Sequence, residues 1–344
     1  AEVALAAALN PTAANVTPLA AAENLSTQLT VSSDTITAAN GTVGAGDVLA
    51  DPSASDSDTM SIAHTGATLA STGVISNIEN ITVNAASTTT FTITDASMVT
   101  GGAMTINLTT PGGATAATVS DIGSNTSVIA GDRVADLTVD ATADRTDISV
   151  TGGTGATTVN GTANVLTTAT VDASAGTNVD VEFGAESSGI TVTAGSGTVD
   201  INNGGGVETA NLTVNAGTAS TVTIDVGADS SNINVTTGLG AVDINNGTNV
   251  AVTGLVVDAS AILASATIDI DLGDASDLTL TAATTAGAIT LDGASVSETT
   301  DDGGSVTVTA DAADIGAGIT DFDDVNLTLN GTSSTVTLDD EVAT

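Results

Sequence analysis

Acidic side chains are the residues of this sequence that could do chemistry, because they recur at matching places along a repetitive chain. The sequence contains 41 Asp and Glu residues against only two basic residues. Carboxylates, Asn side chains and the carbonyl groups of glycine turns are the ligands that calcium takes, in sets of roughly six to eight oxygens. Two carboxylates about 4.8 Å apart on neighbouring strands repel each other by roughly 1 kcal/mol in water. We therefore expect calcium ions to bind between these carboxylates and to offset their repulsion.

The candidate calcium ligands fall in two parts of the chain. One is a stretch rich in Gly and Asp within residues 41–62, and the other is a series of Asp residues at corresponding ends of short apolar runs. For any single Asp, the alternative is a residue that forms a turn or a solvated face. The candidates are Asp47, Asp51, Asp56, Asp58, Asp225, Asp243, Asp269, Asp271, Asp274, Asp301, Asp302, Asp323 and Asp324.

The elements that must position these residues are β-strands. Residues 198–238 contain four runs in which branched apolar residues alternate with Thr, Asp or Asn, which is the pattern of a strand with one buried face. Gly, Asn, Asp and Ser separate the runs and allow tight turns. The block then returns, since residues 241–247 (AVDINNG) repeat residues 198–204 (TVDINNG). The period of roughly 42 residues predicts a stack of repeated units.

The pattern predicts an all-β fold, a repetitive parallel β-helix or β-solenoid, with tandem Ig-like β-sandwiches as the alternative. Small, β-branched core residues with almost no aromatics favour the solenoid, because they suit a narrow tube filled by stacked side chains. Residues 1–10 (AEVALAAALN) predict a short N-terminal helix that Pro11 ends. We expect three parts: 1–24 as a helical cap or linker, 25–130 as a β-rich segment, and 131–344 as the repetitive solenoid.

One stretch resembles RTX-type and bacterial surface-layer proteins. The sequence ISNIENITV, residues 75–83, is the closest match, and residues 33–41 (SDTITAANG) resemble the opening of the same motif. The resemblance implies a calcium-dependent extracellular protein that is exported by type I secretion. The chain departs from the pattern at Pro52 and Ser53, where paired glycines are expected. It departs again at Thr157, which stands in place of the Asp of the calcium-binding nonapeptide GGxGxDxUx.

Composition excludes several classes of function. A net charge of −39 repels nucleic acids, whose recognition depends on Lys and Arg, and disfavours binding to anionic lipid surfaces. No apolar run is long enough to cross a bilayer, so we expect no membrane insertion. The single histidine, His64, is expected to be exposed in a loop, and no nucleophile elbow or phosphate loop is present. We therefore expect no enzymatic activity.

These observations favour a structural extracellular protein of the cell surface. We expect it to assemble with copies of itself into a surface layer or filament bridged by calcium, with a cell-surface glycan as a second candidate partner. The alternative is the stalk of a large secreted adhesin. The two hypotheses predict different products with calcium: sheets or filaments for the first, and isolated rods for the second.

Overall fold

A computed structural model gives the fold of the chain in two compact units. Unit 1 comprises Ala1–Asn160 and unit 2 comprises Gly161–Thr344. The expected division at residues 24 and 130 stays a prediction. The structure describes residues 12–18, 23–43, 46–65, 68–71, 74–85, 89–93, 103–109, 116–120, 122–130, 134–161, 164–184, 186–202, 208–219, 221–227, 229–245, 252–263, 266–273, 277–282, 289–294, 305–310, 317–320, 324–329 and 336–338.

Unit 1 consists of short strands joined by turns. Its strands are β1 (Asn15–Val16), β2 (Thr35–Ala38), β3 (Val48–Ala50), β4 (Thr59–His64), β5 (Thr68–Ser71), β6 (Val74–Ser76), β7 (Asn80–Ala85), β8 (Thr89–Ile93), β9 (Met104–Thr109), β10 (Ala117–Ser120), β11 (Thr126–Ala130), β12 (Leu137–Asp140), β13 (Arg145–Thr151) and β14 (Thr157–Gly161).

Unit 2 has the same construction. Its strands are β15 (Leu166–Ala173), β16 (Val179–Phe183), β17 (Ser188–Ala194), β18 (Thr198–Asn202), β19 (Thr213–Asn215), β20 (Thr221–Asp225), β21 (Asn234–Thr236), β22 (Ala241–Asn245), β23 (Leu255–Ala259), β24 (Ile268–Gly273), β25 (Asp277–Ala282), β26 (Ile289–Ala294), β27 (Ser305–Ala310), β28 (Ala317–Thr320), β29 (Asp324–Leu329) and β30 (Val336–Leu338).

Successive strands of each unit are added to different sheets in turn, which makes the fold a parallel β-solenoid. In unit 1, sheet 1A has the order β1-β2-β4-β7-β9-β11-β13, sheet 1B the order β5-β8-β10-β12-β14, and β3 pairs with β6 in sheet 1C. In unit 2, sheet 2A contains the odd-numbered strands β15 to β29 and sheet 2B the even-numbered strands β16 to β30. Strands of the described part pair in parallel, for example β18 with β20 and β19 with β21.

These pairings decide between the two predicted architectures. The solenoid prediction is confirmed, and the sandwich alternative is wrong, because sandwiches of that kind are built from antiparallel strands. The described residues contain no helix. The expected helix at residues 1–10 lies outside them.

One coil is about half as long as the sequence repeat. In unit 2, Val199 pairs with Val222, and Val222 pairs with Val242, so the repeated DINN sequences stand two coils apart. Buried serines mark alternate coils in the same way. The Ser187 hydroxyl accepts the Leu166 N–H (2.9 Å) and donates to the Gly184 carbonyl (2.7 Å), and the Ser230 hydroxyl donates likewise to the Gly227 carbonyl (2.7 Å). The stacking unit is therefore a single coil, and the sequence pattern repeats every second one.

Aliphatic side chains stacked in register form the core. In sheet 1A, Met60 lies between Ile36 and Ile81, and all three are at most 1 % exposed. In sheet 2A, Val192, Val214 and Val235 form a corresponding row of buried residues. Because alternate residues of a strand point to opposite faces, the residues between these positions face outward. The side of the coil on which a carboxylate lies is thus fixed by its place in the strand.

Candidate metal centre

Three carboxylates of unit 1 stack at equivalent places in successive coils. Asp34, Asp58 and Glu79 each immediately precede a strand of sheet 1A, namely β2, β4 and β7. The Asp34 N–H donates to Asp58 Oδ1 (2.6 Å), and the Asp58 N–H donates to Glu79 Oε2 (2.8 Å). The Ala14 N–H, one coil earlier, donates to Asp34 Oδ1 in the same way (2.6 Å). Each carboxylate therefore reaches back to the backbone of the preceding coil, which holds the negative groups close together.

The segment between β3 and β4 brings two more carboxylates to this stack. Asp51 follows β3, and its Oδ1 accepts the Ser53 N–H (2.7 Å). Its backbone is held to the next coil, because the Asp51 N–H donates to the Ser76 carbonyl (3.0 Å) and Asn77 Nδ2 donates to the Asp51 carbonyl (2.9 Å). Asp56 lies further along the same segment. The segment thus brings two carboxylates of its own close to the stack.

Together these residues form two overlapping groups that could hold a metal ion. One group is Asp34, Asp51 and Asp58, and the other is Asp56, Asp58 and Glu79. Within each group the three carboxylate oxygens lie within 4.8 Å of one another. Asp34, Asp51 and Asp58 are only 1 %, 3 % and 0 % exposed. We call the five residues the acidic cluster; Asp58 belongs to both of its groups.

Several oxygens of the acidic cluster are buried without a hydrogen-bond donor. They are Asp51 Oδ2, both carboxylate oxygens of Asp56, Asp58 Oδ2 and Glu79 Oε1, and the neighbouring Asn77 Oδ1 is in the same state. A buried acceptor without a partner costs about 1–3 kcal/mol, and more if it is charged. Ionised carboxylates have no proton to donate to one another. The cluster therefore needs protons or a cation, and its oxygens suit a hard cation such as calcium.

Two carboxyl groups of the cluster, those of Asp51 and Asp58, have raised pKa values. Burial raises the pKa of Asp58 to about 7, against the opposing effect of the Asp34 N–H, and the nearby charges of Asp51, Asp56 and Glu79 add to the rise. Burial also raises the pKa of Asp51 to about 6; the Ser53 N–H opposes this, and Asp56 and Asp34 add to it. When no cation is bound, both carboxyl groups therefore stay protonated at pH values well above those at which an ordinary Asp loses its proton.

Not all of the predicted ligands in this part of the chain join the cluster. Asp51, Asp56 and Asp58 belong to it, whereas Asp47 lies outside both groups. Asp47 is 2 % exposed and precedes β3, where its Oδ1 accepts the Glu23 N–H (2.8 Å). It thus makes the same kind of contact between coils as Asp34 does, on sheet 1C.

Two members of the cluster, Asp34 and Glu79, were missing from the predicted set of ligands. Their signal is present in the sequence, since each stands directly before an alternating strand as Asp58 does: Asp34-Thr-Ile, Asp58-Thr-Met and Glu79-Asn-Ile. The intervals are 24 and 21 residues, which is one coil each. An alignment on coil length, in place of the 42-residue repeat, would have found both.

Predicted ligands in unit 2 lie on an exposed face. Asp225, Asp243, Asp269 and Asp271 alternate with buried residues of sheet 2B and therefore point outward. Asp269 stands directly opposite Asp243 on the neighbouring strand. We call the outward carboxylates of this sheet the acidic face; its described members are Asp180, Glu182, Asp200, Asp225, Asp243, Asp269 and Asp271.

The acidic face has a weaker form of the same electrostatic stress. Partial burial raises the pKa of Asp180, with added repulsion from Asp200 and Glu182. The pKa of Asp225 is raised by burial too, and then by Asp200 and Asp243. The acidic cluster and the acidic face thus differ in whether water reaches the carboxylates.

The remaining five predicted ligands lie in the C-terminal part of the sequence. Asp274, Asp301, Asp302 and Asp323 lie outside the described residues. Asp324 begins β29, where it pairs with Ser305. Their place in a metal site stays a prediction.

Both His64 and Thr157 are buried. His64 ends β4 and is only 7 % exposed, so the expectation of an exposed loop histidine is wrong. Because alternate residues of β4 point to the same face, His64 lies on the buried side of the strand with Met60 and Ile62. Thr157, which replaces the nonapeptide Asp, begins β14 and is fully buried. Its hydroxyl has no hydrogen-bond partner.

No helix among the described residues is long and apolar enough to cross a membrane.

Comparisons with known proteins do not assign the chain to a family. No protein-family model, curated protein or solved structure matches the chain.

Proposed function

We propose that the chain is a structural extracellular protein whose solenoid is stabilised by calcium and which assembles with copies of itself at a cell surface. The observation that carries the proposal is the acidic cluster, in which buried carboxylate oxygens lack donors. A fold that places five acidic residues on three coils is stressed unless a cation joins them. Calcium fits best, because it accepts many oxygen ligands in flexible geometry and tolerates several carboxylates.

The self-assembly part of the proposal rests on charge. With a net charge of −39, copies of the chain repel one another unless cations lie between them. The acidic face offers outward carboxylates that pair directly across neighbouring strands of sheet 2B, twice among its described members. Divalent cations shared between two such faces would convert repulsion into attraction. The resemblance of residues 33–41 and 75–83 to surface-layer proteins supports the same function.

An electron micrograph of the purified chain tests this proposal directly. We expect sheets or filaments in calcium and dispersed particles after chelation, with reassembly when calcium is restored. Magnesium at the same concentration is the control for ionic strength, because it demands octahedral geometry and keeps its water. Dispersed particles under every calcium condition would contradict the self-assembly proposal.

The stalk of a secreted adhesin is the second candidate. It is favoured by the way each unit adds coils along one direction, since every added coil lengthens the unit by about 4.8 Å. A stalk needs calcium for rigidity and no contact between copies. Isolated rods in calcium would therefore favour the stalk over the surface layer.

A further inference from the structure

The acidic cluster contains more negative charge than one divalent ion can balance. Its five carboxylates carry five negative charges when ionised. One calcium ion would leave three of them, within a group of which three side chains are at most 3 % exposed. Buried charge that is not paired is costly. Of the two basic residues that could balance this charge, Arg145 lies in β13 and donates hydrogen bonds to the carbonyls of Ile122 and Asp144, and Arg133 lies outside the described residues.

The unpartnered oxygens are divided between the two groups of the cluster. Asp51 Oδ2 belongs to the group with Asp34, whereas the two Asp56 oxygens and Glu79 Oε1 belong to the group with Glu79. Asp58 Oδ2 is unpartnered as well, and Asp58 is the residue that the groups share. Each group therefore has buried acceptors of its own, and both groups share the carboxylate of Asp58.

We propose that the acidic cluster binds two calcium ions that share the carboxylate of Asp58. The first ion lies among Asp34, Asp51 and Asp58, and the second among Asp56, Asp58 and Glu79. This inference rests on the calcium binding of the proposed function and adds its stoichiometry and its bridging ligand. Two ions would leave one negative charge in the cluster in place of five.

The pair of ions would act as a clamp between coils. Asp34, Asp58 and Glu79 stand in three successive coils of sheet 1A, and Asp51 is hydrogen-bonded to Ser76 of the next pass through sheet 1C. The first ion joins the coils of Asp34 and Asp58, and the second joins those of Asp58 and Glu79. Because both ions depend on Asp58, removing its charge would weaken both sites.

Counting tightly bound calcium in matched variants of the full chain tests the inference. Protein from which a chelator has removed the metal is dialysed against a series of calcium concentrations. Excess magnesium and monovalent salt are present to suppress weak calcium binding to exposed carboxylates. The bound calcium is then measured by atomic emission. We expect two tight ions in the parent chain. Asp34→Asn and Glu79→Gln should each lose one, and Asp58→Asn should lose both. Each substitution keeps an oxygen that can accept the backbone N–H of the preceding coil.

The matched control is the triple variant Asp243→Asn, Asp269→Asn, Asp271→Asn on the acidic face, which should keep both tight ions. Circular dichroism establishes that each variant is folded. If Asp58→Asn does not fold, the double variant Asp34→Asn, Glu79→Gln replaces it, and it should lose both ions while each single variant loses one.

The outcomes separate this inference from the proposed function. One tight ion in the parent chain, or the loss of that same ion in all three cluster variants, would overturn the shared two-ion site and leave calcium binding intact. No tight calcium at all would overturn the calcium dependence of the proposed function too. Failure to assemble despite two tight ions would contradict the surface-layer proposal and leave the two-ion site standing.

Discussion

The acidic cluster of unit 1 and the acidic face of unit 2 both consist of carboxylates, which are largely buried in the cluster and point outward on the acidic face. Asp58 is fully buried, with an oxygen that has no donor, whereas Asp243 lies outward between buried Val242 and Ile244. Water can hydrate the second carboxylate and not the first. The position of an acidic residue relative to its strand, more than the number of acidic residues, therefore decides where a cation is required.

Removing calcium should produce the largest effect, and it should act through the cluster. A ligand at 100 times its dissociation constant contributes about 2.7 kcal/mol to the free energy of unfolding, so two sites would contribute about 5 kcal/mol. We expect calorimetry to show a much lower melting temperature in chelator than in calcium. An equal drop in a variant that lacks the charges of Asp51 and Asp58 would show that the calcium effect arises outside the cluster.

The pH dependence of stability should be the next largest effect and should reverse with calcium. Without calcium, the folded pKa values of Asp51, about 6, and Asp58, about 7, lie above the unfolded value of 3.8. The folded state therefore binds more protons, and stability should fall as pH rises from about 4 to about 7. With calcium, deprotonation favours ion binding, so stability should rise over the same range. Urea unfolding at several pH values measures both trends, and parallel trends in the two conditions would contradict this explanation.

Neutralising two carboxylates of the cluster should have opposite effects on stability without calcium and with calcium. In the absence of calcium at pH 8, the double variant Asp51→Asn, Asp58→Asn should raise the free energy of unfolding by about 2 kcal/mol, because it removes buried negative charges that no cation balances. In calcium the same variant should be less stable than the parent chain. Chemical denaturation in both conditions gives the comparison. A variant that is destabilised by the same amount with and without calcium would indicate a purely structural role for these carboxylates.

The acidic face should give the smallest effect. Like charges directly opposite on paired strands destabilise a sheet by roughly 0.2–1 kcal/mol. Asp269→Asn, which removes the charge facing Asp243, should therefore stabilise the chain by about 0.5 kcal/mol at low salt, and less at about 0.15 M salt, where the Debye length is about 8 Å. Thermal melts at two salt concentrations measure the change. A gain as large as that of the cluster variant would remove the distinction between the two regions.

Much of the fold could be predicted because it depends on local patterns. The alternation of Val199, Asp200 and Ile201 specifies both the strand and its buried face, and its repetition specifies stacking. The coil length was harder to predict, since the clearest sequence identity, at residues 198–204 and 241–247, skips one coil. Because this identity relates every second coil, it makes the repeat look twice as long as one coil.

The composition of the site was predictable only in part because it depends on stacking. Asp56 and Asp58 were visible as a local group, but Glu79 joins them only after the chain has completed a coil. Alternation could have separated the two kinds of acid in advance. Asp243 and Asp269 each stand between apolar residues of a strand and must face outward, whereas Asp58 precedes its strand and is free to turn inward.

A high-resolution structure of the calcium-loaded chain, with anomalous scattering to locate the metal, is the most direct test of the claim that buried carboxylates between coils are held by cations. We expect two strong anomalous peaks in the acidic cluster, each in contact with Asp58, and weaker or absent peaks along the acidic face. A metal-free cluster in which Asp51 and Asp58 share protons at saturating calcium would contradict it.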